Sequence, residues 1–165
     1  MTHIANPDQL LEKLATDLEN LLELRSIDKP LMVGIHTGGA WLAEKLHQRL
    51  NITDALSTLD ISFYRDDFSR IGMNPQVKPS SLPPQVEDRH IILVDDVLQT
   101  GRTIRAAMNE IFDYGRPASI TLACLIERSG RELPIQADVV GQRLELADNE
   151  QIKLSGPEPL AWDIK

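Results

Sequence analysis

The chain is short of the residues that build covalent or metal frameworks. Its one cysteine, Cys124, lies inside the apolar run SITLACLIE. No internal disulfide can therefore form, and a buried, inert thiol is the expectation. Four histidines are scattered along the chain and, with that cysteine, show no metal-ligand spacing, so no protein metal centre is expected. No apolar stretch approaches the ~20 residues that would cross a bilayer. The opening residues MTHIANPDQL lack the basic start and apolar centre of a secretion signal, which gives a cytoplasmic location and no membrane partner as the expectation. Basic residues are also in deficit: 17 Lys and Arg against 25 Asp and Glu leave a net charge of -8. That balance argues against broad nucleic-acid binding, which rests on cations neutralising phosphates, although a local basic patch is compatible with it.

What is present is the pattern of an α/β protein. At 165 residues the chain is expected to form a single domain spanning residues 1–165 and to bury roughly two-thirds of its unfolded surface. Leu10, Leu11, Leu14, Leu18, Leu21 and Leu22 recur at helical spacing, behind an N-cap and first-turn proline at Asn6 and Pro7. LMVGI (31–35) reads as a buried strand, Thr37-Gly38-Gly39 as a tight loop and 40–50 as a helix. Residues 56–65 alternate like a strand. Residues 66–89 are polar, hold four of the ten prolines and show no period, as a functional lid or arm would. HIILV (90–94) is the next strand, a helix runs from Thr103 to the stop at Gly115-Arg116-Pro117, and 119–127 form another strand. Strands alternating with helices predict an open, mainly parallel sheet flanked by helices. Beyond Gly130 the pattern shortens into short strands or loops at one edge.

The chemistry concentrates in ILVDDVLQTGRTIR (92–105). Asp95 and Asp96 follow four apolar residues, at the carboxyl end of a strand where ligands bind in such sheets. Thr100-Gly101-Arg102-Thr103 then leads into a helix whose first N–H groups lack internal partners and whose dipole favours an anion such as phosphate. Two carboxylates beside a phosphate would repel it. They are therefore expected to face a hydroxyl-bearing or electropositive part of the ligand, either a ribose diol or a magnesium ion. An acidic turn before an ordinary capped helix would explain the threonines but not the paired acids. A response-regulator receiver carries paired acids near its start, without the phosphate turn.

Apolar run, two acids, two apolar residues, one variable position and Thr-Gly-Arg-Thr together resemble the phosphoribosyl-pyrophosphate (PRPP) motif of type I phosphoribosyltransferases. The order and spacing of LMVGIHTGGAWLAEKL, LDISFYRDD, ILVDDVLQTGRTIRAAM and YGRPASITLACLIERSGRELPIQADVVG resemble the PyrR family over roughly residues 8–145. Members are pyrimidine-operon attenuation regulators with uracil phosphoribosyltransferase activity. The resemblance implies the type I fold, with a flexible loop and small edge or hood elements. It implies uracil and PRPP as substrates, UMP and pyrophosphate as products, and Mg2+ held mainly through PRPP. Thr100, Gly101, Arg102 and Thr103 would bind the 5′-phosphate, while Asp95 and Asp96 would hold the ribose hydroxyls, neither needing to act as a base. His36, Thr37, Gly38 and Gly39 would receive pyrophosphate, unless they form a plain strand-to-helix turn. Uracil would lie near Ile126, Glu127, Arg128 and Ser129. Arg131 and Glu132 would either border it or only stabilise a turn.

The chain departs from the family at two points. His36-Thr37-Gly38-Gly39 stands where Lys-Thr-Arg-Gly is usual, removing two cations, and Gln99 stands where tyrosine is frequent. Either catalysis is weak, or Arg65, Arg70 or Lys78 of the irregular segment supplies charge on closure; the alternative for those three is a solvated loop. On this reading Gly38→Arg would strengthen pyrophosphate binding. The resemblance also implies a homodimer or higher homo-oligomer, and a UMP-dependent regulator of pyrimidine leader RNA. Against RNA, Glu12, Asp17, Glu19 and Glu23 outnumber Lys13 and Arg25 on and just past the first helix. The remaining basic candidates are Lys45, Arg49, Arg102, Arg105, Arg116 and Arg143.

Overall fold

The computed structural model describes residues 3–61 and 85–165. Arg65, Arg70, Lys78 and the end of the strand expected over 56–65 lie outside these residues. The first helix, α1 (Pro7–Leu24), starts as its sequence dictates, with the Asp8 N–H donating to the Asn6 side chain and Pro7 in the first turn. Its apolar stripe buries Leu10, Leu14, Ala15 and Leu18. Each fully buried leucine contributes about 1.5–3 kcal/mol relative to exposure. Then follow β1 (Leu31–Ile35), α2 (Gly38–Arg49), β2 (Ser57–Leu59), β3 (His90–Leu98), α3 (Arg102–Tyr114), β4 (Ser119–Arg128) and β5 (Val139–Leu144). The five strands form one sheet in the order β2-β1-β3-β4-β5, every neighbouring pair parallel.

Successive side chains of the central strands serve opposite faces. Met32, Ile92, Val94, Ala123 and Leu125 join α1 and α2 in one apolar cluster, while Leu31, Val33, Ile91, Leu93 and Leu122 join α3 in the other. Cys124 is wholly buried in the second cluster. Burial pushes its thiol well above the ordinary range, with the negative charge of Asp95 adding to the shift.

Three boundaries differ from those read in the sequence. Helix α2 begins at Gly38, so the expected loop shrinks into the helix start. Strand β3 runs four residues past Val94, because β4 continues to pair with it through Leu98↔Glu127. The short segments after Gly130 divide. Strand β5 extends the main sheet, whereas β6 (Ile152–Ser155) and β7 (Ala161–Ile164) pair antiparallel as a separate hairpin. This hairpin is tied down at several places. Ile152, Leu154 and Leu160 enter the first cluster, the Trp162 indole N–H donates to Ala5 O at 3.0 Å, and Lys45 bridges from α2 to Glu158 at 2.6 Å. The hydrogen bond to Glu158 raises the pKa of Lys45 above the ordinary lysine value.

Helix α2 lies directly on β1 because Gly34 has no side chain. A Cβ there would stand 2.7 Å from Ala43 Cβ and 2.8 Å from Ala40 Cα. Gly34→Val should therefore force the helix off the sheet and lower the unfolding free energy by about 1–3 kcal/mol or more. Urea denaturation followed by circular dichroism measures it, and an unchanged midpoint would show that the helix is not held at this contact.

Candidate active site

The crevice opens because two neighbouring strands end at different heights. Pairing between β1 and β3 stops at Gly34↔Val94, but β3 continues beside β4 through Asp95 and Val97. The chain leaves β1 into α2 on one face and β3 into α3 on the other, a topological switch point. Asp95 and Asp96 stand at the opening. Asp95 is 5% exposed, and its Oδ1 accepts the Asp96 N–H at 2.9 Å. Asp96 is half-buried, with its Oδ1 accepting the Val97 N–H at 2.8 Å. It has the parity of Ile92 and Val94 and lies toward α2, where a Cβ on Gly38 would collide with its carboxylate.

Two helix N-termini flank these acids, and the N-cap residue of neither makes a side-chain capping bond. Thr37 precedes α2 and Gly101 precedes α3 without capping it. Gly101 sits at φ +92°, pressed against Ile135, where an added Cβ would be 3.0 Å from Cγ1. The turn is braced from outside: Thr100 O accepts the Glu132 and Leu133 N–H groups at 2.9 and 3.0 Å. Arg131 donates to Gln99 O and Ile135 O and pairs with Glu127. Thr100 Oγ1 accepts the Arg102 N–H at 3.1 Å, which leaves the hydroxyl proton available to a ligand oxygen.

A cavity of about 670 Å³ joins these parts, its wall including Thr37, Gly38, Asp95, Asp96, Thr100, Gly101, Thr103 and Arg128. His36, Gly39 and Arg102 do not line it. The His36 N–H donates to Leu59 O, Gly39 is packed against Val94 O, and Arg102 pairs with Glu132 at 2.9 Å. Ile126 is fully buried, and Glu127 is held between Arg131 and Arg143. Arg131 and Glu132 thus brace the turn at residues 99–102. The wall also contains Trp41 and Gln151, Ile152, Lys153 and Leu154 of the β6 segment. No sequence signal marked the latter, since β6 approaches from the tail and only its packing brings it here. Among the described residues no group of three or more His, Cys, Asp or Glu side chains could hold a metal ion. Two carboxylates form a donor set suited to a hard cation that arrives with its own oxygen ligands.

The chain is similar to known proteins in sequence and in fold. Residues 5–157 match the model of the phosphoribosyl transferase domain. The bifunctional protein PyrR of Nitrosococcus oceani is 63% identical over 162 residues, covering 97% of this chain and 92% of that protein. The chain belongs to the PyrR family of phosphoribosyltransferases. A second PyrR, from Pseudomonas paraeruginosa, is 57% identical over 98% of this chain and 95% of its own length. The fold is shared more widely. A hypoxanthine-guanine phosphoribosyltransferase from Bacillus anthracis superposes with a TM-score of 0.70 at 16% identity, over 92% of this chain and 86% of that one.

The geometry reverses one expectation about this PyrR chain. A side chain at position 38 cannot enter without displacing Asp96, whose Cγ would be 2.9 Å from the new Cβ. Gly38→Arg should weaken PRPP binding rather than strengthen it, because the guanidinium would pair with the displaced carboxylate. Calorimetric titration with PRPP and Mg2+ measures the change; tighter binding would mean that Asp96 gives way without loss.

Proposed function

We propose that this PyrR protein is a uracil phosphoribosyltransferase, joining uracil N1 to ribose C1 of PRPP and releasing pyrophosphate. The observation that carries it is the acid pair Asp95–Asp96 set between two helix N-termini in one cavity. The N-terminus of α3, with Thr100, Gly101 and Thr103, receives the 5′-phosphate by backbone N–H groups and hydroxyls. The N-terminus of α2, with Thr37 and Gly38, receives the diphosphate. Asp95 and Asp96 accept hydrogen bonds from the ribose hydroxyls and place negative charge beside C1 as it becomes cationic. Catalysis is positioning and electrostatic stabilisation, with neither aspartate acting as a base. Magnesium would be held mainly by PRPP oxygens beside Asp95 and Asp96, and would supply positive charge facing the diphosphate. Uracil lies toward the end of β4 beside Arg128, under the β6–β7 hairpin. The protein works in the cytoplasm as a homodimer or higher homo-oligomer, two-fold pairs being the commonest building block; no described helix is long and apolar enough to cross a membrane.

Asp95→Asn together with Asp96→Asn should abolish detectable UMP synthesis from uracil and PRPP while leaving the circular dichroism spectrum unchanged, since several kcal/mol of transition-state stabilisation is removed. A double variant with wild-type activity would overturn the assignment.

The second activity of the family is UMP-dependent binding of pyrimidine leader RNA, and the word bifunctional in the names of the relatives supports carrying it over. Local charge limits its strength. Lys45 pairs with Glu158, Arg49 with Glu12 and Glu19, Arg102 with Glu132 and Arg143 with Glu127. Cations already facing carboxylates release few counterions on meeting phosphates. Affinity for a leader hairpin should therefore be weak at near-physiological salt and fall only shallowly as salt rises; protonation of His36 toward pH 6 should strengthen it if that residue meets the RNA. Filter binding across salt and pH, with and without UMP, measures both. Tight, UMP-enhanced binding with a steep salt slope at pH 8 would show a basic face built elsewhere.

A further inference from the structure

We infer that Lys153, on the β6–β7 hairpin, supplies the cation that the α2 loop lacks and binds the diphosphate of the donor. This rests on the proposed transferase reading and names a residue that the motif does not contain. A diphosphate needs positive partners, yet the α2 loop brings only Thr37 and Gly38 to the cavity wall, and the wall already carries the charges of Asp95 and Asp96. Among the described residues, two cationic side chains line this cavity. Arg128 is 4% exposed and committed to structure, donating to Glu150 O at 2.6 Å, Ala147 O at 2.9 Å and Ser129 O at 3.4 Å. Those bonds hold the turn that leads into β6. Lys153 follows directly from that turn, exposed between the buried Ile152 and Leu154, and its ammonium has no hydrogen-bond or ion-pair partner among the described residues.

The hairpin leans on α2, the helix whose N-terminus is assigned to the diphosphate. Glu158 pairs with Lys45 at 2.6 Å, and a Cβ on Gly156 would stand 3.2 Å from Trp41 Cε3; Trp41 shares the cavity wall with Lys153. Lysine suits the role: its ammonium is a point charge on a long stem, able to follow the diphosphate as it separates from C1.

The test is Lys153→Met and Lys153→Arg in the full-length chain, with steady-state kinetics for PRPP and uracil and calorimetric titration with pyrophosphate and Mg2+. Met should raise the KM for PRPP and weaken pyrophosphate binding by about tenfold or more, as loss of a charge-assisted contact does. The KM for uracil and the unfolding midpoint should stay unchanged, and Arg should recover most of the loss. In the wild-type protein, pyrophosphate should also protect Lys153 from acetylation, read by peptide mass spectrometry. Unchanged PRPP and pyrophosphate binding in the Met variant, a rise in the uracil KM alone, or no protection would overturn the inference while wild-type UMP synthesis left the transferase reading standing. A wild-type chain that neither makes UMP nor binds pyrophosphate would overturn both.

Discussion

The close seating of α2 on the ends of β1 and β3 is the constraint on which the site depends. Gly34 lets Ala40 and Ala43 reach the strand, Gly39 lets the helix start meet Val94 O, and Gly38 lets the Asp96 carboxylate lie against the helix. Glycine in a helix costs about 1 kcal/mol relative to alanine, so two of them in the first turn of α2 weaken it locally. The return is a helix N-terminus placed at the acid pair without an intervening side chain. The same contact means that a larger residue at position 38 must displace the Asp96 carboxylate.

The acids require compensation that β3 alone does not provide. Two adjacent carboxylates at the edge of an apolar sheet repel each other and lose water. Backbone N–H groups of Asp96 and Val97 bind one oxygen of each, and two helix N-termini add partial positive charge. On the far side, Arg131 and the Glu132 and Leu133 N–H groups lock the turn at Gln99 and Thr100. The turn is thus held by hydrogen bonds on its outer side, and a pre-formed turn is the condition for electrostatic stabilisation without reorganisation.

Among the described residues, Lys13, Arg25, Lys45, Arg49, Arg89, Arg102, Arg131 and Arg143 pair with the chain's own carboxylates. That distribution suits a small anionic ligand held by backbone and a few free groups better than an extended polyanion. It also separates the two proposed activities physically: the proposed transferase site is built from helix ends and an acid pair, whereas RNA needs a broad basic face.

The helices, the parallel strands and the acid-then-phosphate-turn motif were legible in the sequence because each is a local pattern. Leucine spacing and Asn6-Pro7 specify α1, continuous apolar runs specify β1, β3 and β4, and Asp95 through Thr103 are contiguous, so their chemistry travels together. What depends on distant segments meeting was decided only by the tertiary structure. The extra residues of β3 exist because β4 pairs with them, and Arg128 is a clamp because the 147–150 turn lies over it. Gly38 reads as a lost arginine until Asp96 is seen beside it, and Lys153 reads as one charge in a short alternating segment until the hairpin folds over the cavity. Local propensity and motif spacing act within a few residues; steric exclusion and charge pairing act across whatever the fold brings within a few ångströms.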